Sequence, residues 1–265
     1  MTHPFAITLQ PLVPLRADAS HRSEMVSQLL FGETCALLHG DEEWLRVRCC
    51  YDGYEGWVDA KQLYPLTAEQ AQEVEAWPLI VSSPMVTISI TSPSLFAGET
   101  TLAPMAIPMG SRLPQAHRHT LGNITIEHSV EPMEASPLLT FNKAFELLNA
   151  PYLWGGKSLM GIDCSGFTQT VFKLYGIPLL RDASQQATQG IAVPSLAESQ
   201  RGDLLFFANS QGRIVHVGIK FGPDTIIHAS GNVRIDKVNT EGIFRTDQGR
   251  YTHYLHSIRR IHTTL

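Results

Sequence analysis

Short runs in which apolar and polar residues alternate fill the first 65 positions: Ile7–Val13, Glu24–Leu29, Thr34–His39, Trp44–Cys50 and Glu55–Asp59, broken by Gly40-Asp41 and Asp52-Gly53. A period of two between turn residues predicts strands, and strands this short predict a small β-barrel. Thr67-Ala68-Glu69-Gln70 has the form of a capping box and opens a helical connector that stops before Pro78. The stretch 79–134 is richer in Ser, Thr, Pro and Met, with further strands expected at Val86–Ile90, Thr100–Ala106 and Ile124–His128. Thr140–Asn149 then reads as a helix. A second helix is expected from Cys164, because Phe167, Val171 and Leu174 recur at helical spacing until Gly176 and Pro178 end the run. The strands expected beyond it are Asp203–Phe207, Ile214–Lys220, Thr225–Ala229, Arg234–Lys237 and Ser257–Ile261.

Candidate chemistry sits in this second half. Asp163 is a suitable N-cap, which places Cys164 in the first helical turn, where free N–H groups and the positive end of the dipole stabilise a thiolate. The position therefore predicts a lowered thiol pKa and a nucleophile. A single Cys is more often a buried structural thiol; two histidines downstream shift the balance. Phe221-Gly222-Pro223-Asp224 reads as a turn between the strands that carry His216 and His228. If the turn centres on Gly222, His216 falls opposite His228 and both face one side. His216 would be the general base and later the acid, with His228 holding its tautomer. Two other readings compete: each histidine taken singly fits a satisfied core residue, and Cys164/His216/His228 could hold a zinc ion. No C-x-x-C or H-E-x-x-H pair brings two ligands together, so the thiol reading carries more weight than the metal and no cofactor is expected. His117-Arg118-His119 has two histidines with no third ligand near and reads as a solvated strand end or loop.

The chain has 265 residues, 43% hydrophobic and 17% charged, which is enough for more than one domain with its own core. A formal charge of −5 leaves no basic footprint for nucleic acid. There is no apolar run long enough to span a membrane. Met1-Thr2-His3-Pro4-Phe5 has neither a basic n-region nor an apolar h-region, which predicts a cytoplasmic protein. Four cysteines (Cys35, Cys49, Cys50 and Cys164) are ordinary intracellular usage, although Cys49 or Cys50 could pair with Cys35 under oxidising conditions.

Tyr152 with Trp154-Gly155-Gly156, Asp163-Cys164-Ser165-Gly166, Arg201-Gly202-Asp203-Leu204 with Phe206-Phe207, His216-Val217-Gly218-Ile219 and Ile227-His228-Ala229 together resemble the NlpC-type cell-wall cysteine peptidases, over about residues 138–262. Leu15-Arg16-Ala17, Phe31-Gly32-Glu33, Trp44-Leu45-Arg46-Val47 and Gly53-Tyr54-Glu55-Gly56-Trp57-Val58 resemble a bacterial SH3-like domain. The combination is similar to the γ-D-glutamyl-L-diamino acid endopeptidases of dipeptidyl-peptidase VI type. That resemblance implies an α+β fold: a papain-like catalytic domain over 135–265, preceded by SH3-like barrels over 1–66 and 79–134 that flank a connector at 67–78. It implies hydrolysis of the γ-D-Glu–diamino acid bond of murein peptides through Cys164, His216 and His228; a monomer is expected. The Tyr152 hydroxyl and the Cys164 backbone N–H would serve the oxyanion. Asp182 would bind the free amine of an N-terminal L-Ala, with Glu24 and Tyr54 as further candidates and with Ser165 and Trp154 lining the substrate site. Bottom-up, Asp182 with Gln185 also reads as a capping box for a helix ending near Gly190. A free-amine requirement would mark a recycling enzyme. A wall-remodelling hydrolase, a peptide-binding module with a degenerate peptidase domain, and a Cys/His acyltransferase or amidase are the alternatives.

Overall fold

The computed structural model describes residues 3–78, 83–91, 104–134, 136 and 141–261. The chain divides into two compact units, Met1–Ala135 and Ser136–Leu265.

In the first unit, β1 (Phe5–Ile7), β2 (Leu12–Arg16), β3 (Met25–Leu30), β4 (Thr34–Gly40), β5 (Trp44–Cys49), β6 (Glu55–Asp59) and β7 (Tyr64–Leu66) form an antiparallel sheet ordered β3-β2-β6-β5-β4-β1-β7. The one strand expected over Ile7–Val13 is two. The β1 ladder gives way at Thr8 to loop bonds with Glu33, Pro11 cannot donate to a ladder, and β2 restarts against β3 and β6. Helix α1 (Ala68–Glu75) opens on the expected capping box, Thr67 N–H to Gln70 Oε1 at 3.0 Å and Gln70 N–H to Thr67 Oγ1 at 3.3 Å. A four-stranded sheet follows, β8 (Met85–Thr91), β9 (Met105–Pro108), β10 (Arg118–Leu121) and β11 (Ile124–His128), ordered β10-β11-β8-β9. Ile7, Leu66, Val74, Trp77, Ile88 and Ile126 bury one shared core between the two sheets and α1. The strand expected over Thr100–Ala106 starts at Met105 among the described residues, and positions 100–103 lie outside them.

The second unit opens with a 3-10 turn at Phe141–Leu147 where an α-helix over Thr140–Asn149 was expected; Thr140 lies outside the described residues. The reason is spacing: Phe141, Ala144 and Leu147 are buried at intervals of three, the period of a 3-10 helix, and Asn149 leaves it with φ 66°. After β12 (Lys157–Ser158) and β13 (Gly161–Ile162) comes α2 (Cys164–Leu174), which is buried along its whole length. Helix α3 (Ala183–Gln186) is one turn rather than a helix to Gly190, because Thr188 and Gln189 donate to carbonyls three residues back and close it. The remaining strands are β14 (Ile191–Ala192), β15 (Leu204–Ala208), β16 (Ile214–Gly222), β17 (Thr225–Ser230), β18 (Asn232–Val238), β19 (Gly242–Arg245) and β20 (Arg250–Arg260). Their order is β14-β20-β15-β16-β17-β18-β19, and β19 also pairs with β20, so β15 to β20 close into a ring. Alternate residues explain the run Leu204-Leu205-Phe206-Phe207. Leu204 and Phe206 pack outward under α2 with Phe167, Val217 and Ile227, while Leu205 and Phe207 point inward with Ile226, Val238, Ile243 and Ile258.

Backbones approach closely where the loop before α2 meets the helix. A Cβ on Gly156 would lie 2.3 Å from the Gly161 carbonyl oxygen, and one on Gly166 would lie 2.2 Å from the Gly156 carbonyl oxygen. Gly166→Ala improves helix propensity by about 1 kcal/mol, but the clash is with backbone, and overpacking costs about 1–3 kcal/mol or more. The expected result is a lower urea midpoint for Gly166→Ala; an unchanged or higher midpoint would contradict this packing.

Candidate active site

Cys164 is the first residue of α2, and the N-cap Asp163 organises its surroundings. The Asp163 carboxylate accepts from Gly166 N–H at 2.6 Å and from Gly155 N–H at 2.8 Å. It also pairs with Arg181 at 2.6 Å; Arg181 is 1% exposed and donates a further bond to Ser165 Oγ at 2.9 Å. The helix start, the Gly-rich loop and the Arg181-Asp182 segment are thus joined through one carboxylate.

The ring of strands opens beside the sulfur. The β16–β17 pairing includes Lys220↔Ile226 and ends at Ile219↔Ile227. Lys220 N–H bonds to Asp203 on the β15 side, so by alternation the N–H of Val217 points towards β17, where the pairing has stopped. That N–H donates to Cys164 Sγ instead, one residue from His216. The register corrects the expected turn: continued from Ile219↔Ile227 it sets Gly218, not His216, opposite His228. A shift of two residues keeps the face, so the histidines still meet, on the diagonal. A Cβ on Gly218 would come within 2.8 Å of the His228 Cβ. The glycine leaves room for the two rings to meet.

His216 Nε2 lies 2.8 Å from His228 Nδ1, and His228 Nε2 lies 3.0 Å from Asp236 Oδ2. Burial raises the Asp236 carboxyl, but bonds from His228 and Arg234 outweigh it and hold the group below its ordinary range. An ionised Asp236 accepts only, so His228 carries its proton on Nε2 and accepts on Nδ1. His216 must then donate from Nε2, which leaves Nδ1 as a bare acceptor for a thiol proton. Burial depresses both histidines; the neighbouring His228 and His253 add to the effect at His216, while Asp236 opposes it at His228.

The low thiol pKa expected from the helix start is reversed. Burial, and secondarily the Asp163 charge, push the Cys164 thiol up to about 12 against N–H groups from Val217 and Ser165 and the Arg181 charge. The Cys164 thiol and the His216 imidazole are thus both held in their neutral forms. This arrangement can run general-base attack, with the proton leaving sulfur as the new bond forms and the imidazolium charge stabilised through His228 by Asp236.

Among the other expected residues, the Tyr152 phenol is raised by burial and by the Cys164 and Asp163 charges, so it stays protonated near the sulfur as a potential donor. Ser165 is buried with its hydroxyl bonded to Asp163 and Arg181, which commits it to the scaffold rather than to a ligand. Trp154 is 58% exposed beside the glycine loop. Gln185 Oε1 caps Asp182 N–H at 3.0 Å, and the adjoining Arg181 pins this segment to Asp163. Glu24 is exposed just before β3 and Tyr54 is half-buried just before β6, both within the first unit. No group of three or more metal-ligating side chains is found among the described residues. Three residues of the cluster were not anticipated. Asp236 and Arg234 are readable from a tight turn at Gly231, which sets Arg234 opposite His228 and Asp236 on its diagonal. His253 is brought in by β20, whose bulged register with β19 has no clear trace in the sequence.

His216→Ala should lower turnover by about 10²–10⁴-fold, with His228→Gln and Asp236→Asn retaining more, and chelator should have no effect; near-wild-type rates for His216→Ala, or chelator loss restored by zinc, would contradict the relay. His216, His228 and His253 all have folded pKa values below 6.5, so the unfolded chain binds more protons at mildly acid pH. Their contribution is full above pH 6.5 and is lost as pH falls towards the folded values. Calorimetry should show the melting temperature falling from pH 7 to pH 5, and a flat profile would contradict buried neutral rings.

Comparison with known proteins agrees with the geometry. Residues 149–250 match the NlpC/P60 family model, and residues 15–63 match that of the bacterial dipeptidyl-peptidase SH3 domain. A γ-D-glutamyl-L-lysine dipeptidyl-peptidase from Bacillus cereus is 29% identical over 84% of this chain and 73% of its own length. Dipeptidyl-peptidase 6 from Lysinibacillus sphaericus is 26% identical over 85% of this chain and 87% of its own. The crystal structure of an NlpC/P60 family protein from Bacillus cereus superposes with a TM-score of 0.77 over 97% of this chain and 99% of that one, at 24% identity, a likeness of fold. Residues 149–250 form an NlpC/P60 domain, the domain of a cysteine peptidase, and residues 15–63 a bacterial dipeptidyl-peptidase SH3 domain.

Proposed function

We propose that the protein hydrolyses the γ-D-Glu–diamino acid bond of free peptidoglycan stem peptides that begin with L-Ala, as a cytoplasmic monomer recycling wall fragments. The names of its relatives support a peptidoglycan-peptide endopeptidase. The observation that carries the finer reading is the Arg181–Asp163 pair at 2.6 Å, which ties the Asp182 segment to the residue that caps the Cys164 helix. A half-buried carboxylate on a segment pinned to the start of the nucleophile's helix suits an ammonium one residue upstream of the γ-D-Glu carbonyl.

In this reading Cys164 Sγ attacks the γ-carbonyl of D-Glu while its proton passes to His216 Nδ1. The tetrahedral oxyanion is met by the Tyr152 hydroxyl and the Cys164 backbone N–H. His216 returns the proton to the departing diamino acid amine, leaving a thioester. Water, activated by His216, then releases L-Ala-D-Glu and restores the thiol.

A charge-assisted hydrogen bond to the ammonium is worth about 1.5–3 kcal/mol, so N-acetylation should slow cleavage of L-Ala-γ-D-Glu-diaminopimelate at least about tenfold. Intact wall, whose L-Ala amine is blocked by muramic acid, should be spared. Asp182→Ala should lose most of the discrimination between the free and acetylated peptides. Equal cleavage of both peptides by the wild type, or soluble fragments from sacculi, would overturn the recycling role in favour of wall remodelling. Loss of stability in Asp182→Ala with the preference intact would leave Asp182 as a helix cap.

A further inference from the structure

We propose that His253 is a positioning residue for the reaction, fixing the plane of the His216 ring by stacking on its face. The inference rests on His216 acting as the base for Cys164. The rings of His253 and His216 are 4.1 Å apart between centroids and 25° from parallel. Among the described residues, the other aromatic partners of these two rings meet them tilted or edge-on, at 5.0 Å or more.

The need for such a contact follows from how His216 is held. The backbone fixes one end of the side chain, and the 2.8 Å bond from Nε2 to His228 fixes the other. Two anchors define a line and leave the ring free to tilt about it. The acceptor lone pair of Nδ1 lies in the ring plane, so a tilt swings it away from the sulfur without breaking the bond to His228. A flat surface against one face removes that freedom. His253 supplies it from β20, where it pairs with the inward-facing Ile243 and where the register slips at the next pair. Bulges of this kind re-aim side chains next to active sites. Thr252 Oγ1 lies 2.9 Å from His253 Nδ1 and steadies the ring from its own strand.

The stack also suits the charge change. When His216 takes the thiol proton, a neutral ring on its face can polarise towards it, whereas an imidazolium there would repel it. His253 faces Phe207 on β15, His216 on β16, His228 on β17 and, at longer range, Asp236 on β18 and Arg245 on β19. Burial, with His228 and Arg245 adding and Asp236 opposing, lowers its pKa to about 4, so it is neutral whenever His216 works.

The test uses His253→Phe, which keeps a flat face, and His253→Leu, which fills the space without one, with His216→Ala as reference. Iodoacetamide labelling is followed on the Cys164 peptide by mass spectrometry at pH 7.5, alongside steady-state kinetics on L-Ala-γ-D-Glu-diaminopimelate. The expected result is near-wild-type labelling and kcat for the Phe variant. The Leu variant should fall about tenfold in both, with KM unchanged and melting temperature matching that of the Phe variant. Labelling that falls in His216→Ala but not in His253→Leu, or equally in the Phe and Leu variants, would overturn the stacking role. Labelling unaffected by His216→Ala would remove the base itself and the stacking role with it.

Discussion

The second unit depends on one carboxylate. Asp163 accepts from Gly166 and Gly155 backbone N–H groups and from both terminal nitrogens of Arg181. The first of these bonds starts α2 and so fixes where Cys164 begins. The second folds the glycine loop that carries Tyr152 and Trp154 back onto the helix start. The third pulls in a buried guanidinium and with it the segment of Asp182. Removing one partner of such a buried pair leaves the other charge without compensation, at about 3–5 kcal/mol. Gly156 and Gly166 follow from the same constraint, since the loop can only be drawn this close if neither carries a Cβ.

A second line of polar groups runs along the inner side of the strand ring, from His216 through His228 to Asp236 and on to Arg234. It is set by the ionised carboxylate at its far end, which fixes the tautomer of each ring in turn. The two lines meet where β16 and β17 part, because the Val217 N–H that would have bonded across the ladder holds the sulfur instead. An interruption in a sheet thus becomes the place where a helix-borne thiol is held by the strand residue next to His216. Burial reinforces the neutral form of each group, raising the thiol and lowering the imidazole so that neither charges readily near neutral pH.

Local chemistry was readable in the sequence to the extent that it was local. The start of α2, its N-cap and the capping box at Thr67 all depend on residues within four positions of one another. The histidine pair was legible as a shared face, since face survives a two-residue slip, but not as a register. The bulge between Lys220 and Gly222 that sets the register comes from the packing of the whole ring. Dipole and position, which favour a low thiol pKa, can be read from sequence, whereas the depth of burial around Cys164, which raises it, is a property of the assembled unit. Asp236 lay within reach of a hairpin argument at Gly231. His253 did not, being 37 residues from His216 and aimed by an irregular strand pairing. The 3-10 turn at Phe141–Leu147 is the reverse case: its three-residue spacing is visible in the sequence and distinguishes it from an α-helix.

A carboxylate two rings away leaves Nδ1 of His216 bare and ready to take the Cys164 proton. Nitrogen-15 NMR of histidine-labelled protein at pH 7, with His216, His228 and His253 assigned by substitution, reads that tautomer directly. The expected result is a neutral His216 ring with its proton on Nε2 and none on Nδ1, and an Asp236→Asn variant in which that preference weakens. A doubly protonated His216, the mark of a resting thiolate–imidazolium pair, or a proton on Nδ1, would contradict it.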